Sequence, residues 1–145
     1  MKIKFFIAAV ALVMCLVSCD LEVSDNGNLD GFWHLERVDT LKTGGMTDLS
    51  DQFLFWSVQM DLMELSKRDH DTAFVLFRFE KKDGVLRVYN PMLFDGTDSE
   101  IPVDDLSVLM PYGINSFDET LRVVTLSSGR MVLETDRLRL SFTKM

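Results

Sequence analysis

Side chains that could act as nucleophiles or metal ligands are scarce in this sequence. The chain has two cysteines, Cys15 and Cys19, and two histidines, His34 and His70. Both cysteines lie near the N-terminus, so the rest of the chain has no thiol for nucleophilic catalysis, a disulfide or a thiolate metal cluster. The motifs G-x-S-x-G, H-E-x-x-H and G-x-G-x-x-G are also absent from the sequence. The sequence therefore predicts neither an enzyme nor a bound metal or cofactor.

The two histidines each have a structural interpretation. His34 directly follows Trp33, and neighbouring residues of a strand point to opposite faces. It is therefore predicted to face away from Trp33 as a surface or hydrogen-bonded residue. His70 lies in the polar sequence RDHD at residues 68–71. Two carboxylates and an imidazole could bind a metal, but adjacent side chains of an extended segment diverge, so a solvated turn is predicted there.

Two acidic segments also contain the residue types of a functional site. The sequence DGTDSE at residues 95–100 has an acidic spacing similar to that of a calcium loop, but its glycine is the second residue. An EF-hand loop has glycine at its sixth position. The consecutive Asp104 and Asp105 could serve general acid–base chemistry, yet their place at the start of a short apolar segment favours helix capping. Neither segment predicts a calcium site or a catalytic pair.

The first eighteen residues have the features of an export signal. Lys2 and Lys4 supply a positive start, and Phe5–Val17 is an unbroken apolar run of thirteen residues. A membrane-spanning helix needs roughly 20 apolar residues, so this run fits a cleaved signal better than a spanning segment. Residues 1–18 are therefore predicted to be a signal peptide.

The signal ends in Leu16-Val17-Ser18-Cys19, which resembles the bacterial lipobox. This resemblance implies that Cys19 receives a diacylglyceryl group, becomes the first residue of the mature protein and anchors it through acyl chains such as palmitate. Two or three such chains hold a protein on a bilayer without a spanning helix. By resemblance to bacterial lipoproteins, Asp20 directly after the cysteine implies inner-membrane retention in enteric bacteria, whereas Asp20 and Glu22 can accompany surface export in Bacteroides-type bacteria. The outer membrane is favoured, with its periplasmic or cell-surface side left open. The polar sequence of residues 19–30 predicts a flexible tether.

Length and charge limit the classes of protein to which this chain can belong. A chain of 145 residues with 47% hydrophobic and 26% charged residues is predicted to fold as one domain, here residues 31–145. The formal charge is −8, from 15 basic and 23 acidic side chains. Removal of residues 1–18 takes away two lysines and leaves 13 basic and 23 acidic side chains, a charge of −10. Without a basic surplus, the chain is not predicted to bind nucleic acid.

Alternating hydrophobicity predicts a domain made almost entirely of strands. About seven strands are predicted, at residues 32–38, 54–63, 73–80, 85–90, 121–126, 131–134 and 138–142. Turns are predicted at Asp83-Gly84 and at residues 127–129. One short helix is predicted within Pro102–Met110, ended by Pro111. Short strands joined by tight turns indicate a sandwich or a barrel, and a barrel leaves no exposed sheet edge.

The sequence Gly31-Phe32-Trp33 begins the first predicted strand and resembles the G-x-W signature of the lipocalins and calycins. In that family the tryptophan closes one end of an up-and-down antiparallel barrel, and a basic residue of the last strand lies over its ring. The resemblance implies an all-β barrel of about seven to eight strands in which Arg139, or Arg137 in a shifted register, covers Trp33. A guanidinium over an indole contributes about 0.5–2 kcal/mol. The chain is similar to the small lipocalin-like lipoproteins of Bacteroides-type bacteria.

Two functions follow from such a barrel, and neither is catalytic. In the first, the barrel binds a small hydrophobic ligand inside an apolar lining. The predicted lining residues are Trp56, Val58, Met60, Phe77, Phe79, Leu133, Leu140 and Phe142. In the second, the same side chains fill the interior, and the protein is an interaction or accessory component of the cell envelope. Phe53, Phe55 and Met63 would then form an exposed apolar patch for a protein partner.

Overall fold

The structure is a computed structural model that describes residues 25–69, 73–97 and 99–145. In these ranges the chain forms strands joined mostly by short turns, together with three single-turn 3-10 helices at Gly27–Leu29, Leu106–Val108 and Met110–Tyr112. The strands are β1 (Gly31–Thr40), β2 (Gly45–Asp48), β3 (Leu54–Gln59), β4 (Leu62–Lys67), β5 (Phe74–Lys82), β6 (Val85–Phe94), β7 (Ile101–Pro102), β8 (Asp118–Leu126), β9 (Arg130–Glu134) and β10 (Leu138–Lys144).

The strands form one antiparallel sheet that closes on itself. Its order is β10-β9-β8-β6-β5-β4-β3-β1, and β1 also pairs with β10, so eight strands complete a barrel. The short β2 pairs with the second half of β1, and the short β7 pairs with the end of β6. Closure pairs the backbone groups that an open sheet would expose along its edges. The predicted all-β, up-and-down antiparallel barrel of seven to eight strands is confirmed.

Tight turns fix the register of neighbouring strands. Asp83 and Gly84 join β5 to β6 as predicted, and their φ angles are 53° and 75°. Positive φ at both central residues is what a type I′ hairpin turn requires. The predicted turn at residues 127–129 joins β8 to β9, where the Ser127 amide donates to the Arg130 carbonyl (2.9 Å).

A further two-residue turn divides the segment that is predicted as one strand, residues 54–63. Met60 has a φ of 56° and lies in this turn, between Gln59 and Leu62, which pair across the hairpin. Paired residues share a face of the sheet. Because Gln59 faces solvent, Leu62 also faces outward and Met63 is buried in the core. The prediction of a single strand is wrong because the alternation in the sequence continues through the turn.

The short helix predicted within Pro102–Met110 is instead two successive 3-10 turns. The predicted cap is present, because Asp105 Oδ1 accepts a hydrogen bond from the Ser107 amide (2.9 Å). Pro111 lies inside the second turn and does not end it, since proline is tolerated at the first positions of a helical turn. Gly113, with a φ of 84°, follows the second turn and ends it.

The folded domain begins before residue 31. Leu29 is fully buried, and its carbonyl accepts a hydrogen bond from Trp33 Nε1 (2.8 Å). The predicted tether of residues 19–30 therefore ends in residues that belong to the domain.

Several predictions fall on residues that the structure does not describe. The signal peptide at residues 1–18, the lipidation site Cys19 and the turn residue His70 lie outside the described ranges. Within those ranges, no helix is long and apolar enough to cross a bilayer.

Candidate functional site

One end of the barrel is closed by Trp33 and Lys144. These residues pair across β1 and β10, and Lys144 Nζ lies 4.7 Å from the centre of the Trp33 ring. Lys144 Nζ also donates to the Asn28 carbonyl (3.0 Å), while Trp33 Nε1 donates to the Leu29 carbonyl. The first strand, the last strand and the first 3-10 turn therefore meet at one point. A cation over an indole face adds electrostatic attraction to this packing.

The prediction that Arg139 or Arg137 covers the Trp33 ring is wrong. Arg139 pairs in register with Asp39, six residues along β1 from Trp33, which is about 20 Å at the usual rise of a strand. The Arg139 Nε donates to Glu134 Oε2 (2.5 Å). The alternative, Arg137, precedes β10 and is not part of the last strand. The last strand supplies the cation, as the resemblance implied, but neither arginine is that cation.

Alternation along β10 explains the difference. Leu140 and Phe142 face the core, so residues two positions further along the strand face the same side. Lys144, two residues after Phe142, therefore points toward Trp33. Arg139, next to Leu140, points to the outer face. The sequence pattern indicates this lysine, since the alternation of the last strand continues to Lys144.

Gly31 permits the close approach of Lys144 to the indole. Its φ is 137°, and a Cβ added at this position would lie 2.9 Å from Lys144 Cε. Any larger residue would displace the lysine stem or strain the backbone, because glycine alone adopts such angles freely. The glycine of the G-x-W sequence is thus explained by the lysine that crosses over it.

The interior of the barrel is filled by its own side chains. Six predicted lining residues are buried in the core: Trp56, Val58, Phe77, Leu133, Leu140 and Phe142. The rings of Trp56 and Phe142 meet edge to face, with centres 4.9 Å apart, which is a favoured aromatic geometry. Small barrels are often just wide enough for such side chains. These residues therefore form a core in this structure.

Two predicted lining residues differ from the other six. Phe79 is only partly buried, although it packs against the core. Met60 is 51% exposed because it lies in the turn between β3 and β4. The prediction that Met60 lines the interior is wrong. That prediction assumed that the alternation of β3 continues to Met60, whereas the strand ends at Gln59.

A loop also enters the interior. It comprises residues 103–114, which we call the plug segment. Leu109 and Ile114 of this segment are fully buried within the core cluster. The carbonyl of Tyr112 accepts a hydrogen bond from Trp56 Nε1 (3.2 Å), which ties the plug segment to β3. The loop therefore fills space that the strands alone would leave open.

The plug segment also fits closely against β10. A Cβ added at Gly113 would lie 2.5 Å from Leu140 Cδ2. Leu140 is four residues before Lys144, so this contact lies deeper along the last strand than the Trp33 closure. The sequence predicts only a short capped helix here, without the burial of its apolar residues. The apolar spacing of Leu106, Leu109 and Met110 was the available signal.

Grooves occur on the outside of the barrel. One of about 520 Å³ includes Arg122 and Asp136, which form an ion pair (3.0 Å). Another of about 370 Å³ includes Arg37 and Asp39, which pair at 2.6 Å. These charged side chains already have partners, and all of them except Asp39 are exposed to solvent, which weakens ion pairs.

His34 is the one buried polar or charged residue of the described chain, at 7% exposure. It faces away from Trp33, as predicted, but it lies beneath other side chains and not on the surface. Its ring is stacked 6.1 Å from Phe53 and lies 5.1 Å from Phe55. The Nδ1 atom is 3.6 Å from Glu36, and Nε2 has no hydrogen-bond partner among the described residues. His34 packs mainly as an aromatic ring.

The exposed patch predicted at Phe53, Phe55 and Met63 is largely absent. Met63 is buried in the core because the β3–β4 turn exchanges the inward and outward positions that follow it. Phe55 lies on the outer face but is almost fully buried under Phe32, stacked 4.4 Å away, and Arg68, 5.4 Å away. Phe53 alone of the three is exposed, at 47%.

Carboxylates with shifted pKa values have local structural partners. A hydrogen bond from the Thr97 hydroxyl lowers the pKa of Asp95, with a further contribution from the Thr97 amide. Hydrogen bonding to Arg87 lowers the pKa of Asp118, across a pair at 2.7 Å. In the part of the chain that the structure describes, no group of three His, Cys, Asp or Glu side chains is placed to hold a metal ion.

Comparison with known proteins agrees with this architecture. Residues 14–145 match the family described as lipocalin-like domain. A lipocalin-like protein from Bacteroides uniformis ATCC 8492 has a similar crystal structure, with TM-score 0.62 and 18% identity over 82% of this chain and 100% of that one. An uncharacterized protein from Bacteroides eggerthii DSM 20697 is similar with TM-score 0.55 and 15% identity, over 80% and 98% of the two chains. No curated protein matches.

At these identities the two solved structures show a shared fold. The family match is broader, because it covers most of the sequence and includes the complete barrel. The Gly31-Phe32-Trp33 sequence and the cation of the last strand fit the same assignment. This chain therefore belongs to the lipocalin-like domain family.

Proposed function

We propose that this protein is a non-catalytic, lipid-anchored component of the cell envelope that acts through the outer surface of a filled lipocalin-like barrel. The observation that carries this proposal is the occupied interior, in which strand side chains pack with Leu109 and Ile114 of the plug segment. A filled core leaves the outer surface for recognition. This makes an interaction or accessory role the function that the geometry supports best.

The envelope location is supported by the sequence before the domain. The positive start, the apolar run and the lipobox-like Leu16-Val17-Ser18-Cys19 together favour export and acylation at Cys19. Asp20 and Glu22 favour the outer membrane, on either its periplasmic or its cell-surface side. The similar solved structures come from Bacteroides species, in keeping with such an envelope protein.

A second candidate function is the binding of a small hydrophobic ligand, and the plug segment favours it. Two fully buried residues of the core, Leu109 and Ile114, come from a loop and not from a barrel strand. Loops open at lower free-energy cost than the strands that carry them. Outward movement of this loop would expose the apolar faces of Trp56 and Leu140 to a ligand.

A fluorescent fatty acid distinguishes the two functions. Trp33 and Trp56 both lie in the interior, so energy transfer from tryptophan to a dansyl-labelled fatty acid reports entry of the probe. We expect no saturable transfer with the unmodified protein. The double variant Leu109→Ala/Ile114→Ala removes the buried side chains of the plug and is expected to admit the probe.

Saturable transfer at one probe per unmodified chain would contradict the filled-barrel proposal and favour ligand binding. Chemical crosslinking in intact cell envelopes then tests the interaction role directly. Residues on the outer face are expected to crosslink to a specific partner, and complete absence of crosslinked species would count against that role.

A further inference from the structure

The outer face of β4, β5 and β6 carries apolar side chains that lie outside the core cluster. Their strand neighbours Met63, Val75 and Phe77 face the core, so alternation places these side chains outward. The outer face of an antiparallel sheet is ordinarily polar. We call the following residues the outer flank: Leu62, Phe74, Leu76, Met92 and Phe94.

The outer flank forms one continuous strip. Leu76 pairs with Met92 across β5 and β6, and Phe74 pairs with Phe94, with stacked rings 5.2 Å apart. Leu62 and Leu76 together line two neighbouring grooves of about 330 and 200 Å³. All five side chains are partly accessible to solvent. A contiguous apolar strip on an outer surface indicates an interaction site.

This strip begins beside the point where the described chain starts. The exposed Met60 lines the first of these grooves together with Leu62. Asn26 Nδ2 donates to the Met60 carbonyl (2.6 Å), and Asp25, Asn26 and Met60 share a further groove of about 240 Å³. The N-terminal end of the domain is therefore held against one end of the outer flank.

The acylated residue must lie close to this end, a step that rests on the proposed lipidation of Cys19. Six residue steps separate Cys19 from Asp25. A fully extended chain spans at most about 3.6 Å per residue, so the two residues are no more than about 22 Å apart. The anchor thus keeps the outer flank near the membrane surface at a high effective concentration.

We infer that the outer flank docks on the lipid bilayer that holds the acyl chains of Cys19. Apolar side chains leave water when they enter the headgroup region, and a tethered surface can do so even when its intrinsic affinity is low. A second copy of the chain fits this strip less well. Each mature copy would have a formal charge of −10, from 13 basic and 23 acidic side chains, and like net charges oppose association.

The charges around the outer flank specify the kind of lipid surface. Arg78 pairs with Asp61 (2.6 Å), so its charge is already compensated. Glu64 lies directly opposite Leu76 in the β4–β5 register. A flank without a basic surplus gains no attraction from anionic headgroups. Docking is therefore expected on zwitterionic phosphatidylcholine, which has no net charge, and is expected to depend little on salt.

A fluorescent label tests this placement. Cys19 is the single cysteine of the predicted mature chain, so Leu76→Cys introduces one free thiol for labelling with NBD. Ser141→Cys is the matched control, because Ser141 faces outward on β10, four strands from β5 around the barrel. Both mature, acylated proteins are reconstituted in phosphatidylcholine vesicles with and without spin-labelled lipid. We expect the lipid to quench the label at position 76 and not the label at position 141.

Vesicle flotation separates this inference from the proposed anchor. If both proteins float but neither label is quenched, or both are quenched equally, the anchor stands and docking by the outer flank is overturned. If the proteins do not float, the anchor and the docking both fail. A detergent-solubilised dimer that shields position 76 would assign the strip to a second copy and overturn the lipid assignment.

A second measurement needs no variant and covers the case in which Leu76→Cys does not fold. Hydrogen exchange of the unmodified acylated protein is compared in detergent and in phosphatidylcholine vesicles. The exposed turn at Met60 and Asp61 is expected to exchange more slowly on vesicles, while the Ser127–Gly129 turn is unchanged. Equal exchange of the Met60 turn in both conditions would contradict docking.

Discussion

Lys144 covers the indole of Trp33, with the ammonium 4.7 Å from the ring centre, and the same ammonium donates to the Asn28 carbonyl. This contact joins the last strand to the first and to the turn that precedes it. It also explains Gly31, whose missing side chain leaves room for the lysine stem. The relationship accounts for the G-x-W sequence by packing and electrostatics at the closed end of the barrel.

Replacement of Trp33 by alanine is expected to destabilise the domain by about 3–5 kcal/mol, because it removes a large, fully buried aromatic side chain. Lys144→Met keeps the aliphatic stem and removes the charge, so we expect a smaller loss of about 0.5–2 kcal/mol. Urea unfolding followed by fluorescence of the remaining tryptophan or by circular dichroism measures both changes. The two effects are expected to be non-additive in a double-mutant cycle, since they share one contact.

Arg139→Ala is the control for this pair. Arg139 is 47% exposed in its ion pair with Glu134, so the pair is expected to contribute about 0–1 kcal/mol, and the effect of Arg139→Ala should add to that of Trp33→Ala. Coupling between Arg139 and Trp33 as strong as that between Lys144 and Trp33 would contradict the register described here.

Gly113→Ala is expected to destabilise the domain by about 1–3 kcal/mol, since it forces a positive φ on alanine and creates a clash with Leu140. Gly84→Ala is the matched substitution, because Gly84 lies in another turn with a φ of 75° and an added Cβ there meets no atom within 4 Å. Thermal unfolding of the two variants is expected to show a clearly larger fall in Tm for position 113, where the clash is added to the backbone strain. Similar Tm values would mean that the plug segment does not fit against β10 as described.

Leu109→Ala is expected to lower the free energy of unfolding by about 2–5 kcal/mol, because it leaves a cavity beneath the plug segment. The neighbouring Met110 is 56% exposed, and Met110→Ala is expected to change stability by no more than about 0.5 kcal/mol. Urea unfolding compares the pair. An equally small effect at Leu109 would show that this loop contributes little to the core.

The pair formed by Asp118 and Arg87 predicts a pH dependence of stability. Because the pair lowers the pKa of Asp118 in the folded state, its contribution is complete above the unfolded value of about 3.9 and is lost as pH falls through the lower folded value. Asp118→Asn is therefore expected to be less stable than the unmodified protein at neutral pH, with a difference that shrinks in acid. Unfolding midpoints in urea across this range measure the effect. A difference that stays constant or grows toward acid pH would contradict it.

The closed barrel could be predicted because its signals are local. Alternation marks most strands, and Asp83-Gly84 has the residue types that a two-residue hairpin requires. The core positions of Trp56, Phe77 and Leu140 follow from the same alternation. These features depend on a few neighbouring residues, which is why one sequence is enough to find them.

Register and loop burial could not be predicted in the same way. The turn at Met60 interrupts a segment that alternates without a break, so the inward positions after it were misassigned. The match of Lys144 to Trp33 depends on pairing between strands more than one hundred residues apart. The insertion of Leu109 depends on space left by the closed sheet. Each of these features is set by tertiary packing, on which local pattern carries little information.

Cys19→Ala is expected to release the protein from membrane fractions, because acylation of this cysteine is the proposed anchor and no described helix could span a bilayer. Cys15→Ala is the matched control, since Cys15 lies in the predicted signal peptide and its loss is expected to leave membrane association unchanged. Fractionation of cells, together with incorporation of labelled palmitate, measures the two variants. Labelled acyl chain is expected in the Cys15 variant and not in the Cys19 variant. Full membrane association of the Cys19 variant, in washed membranes that still contain the folded barrel, would contradict lipidation as the means of attachment.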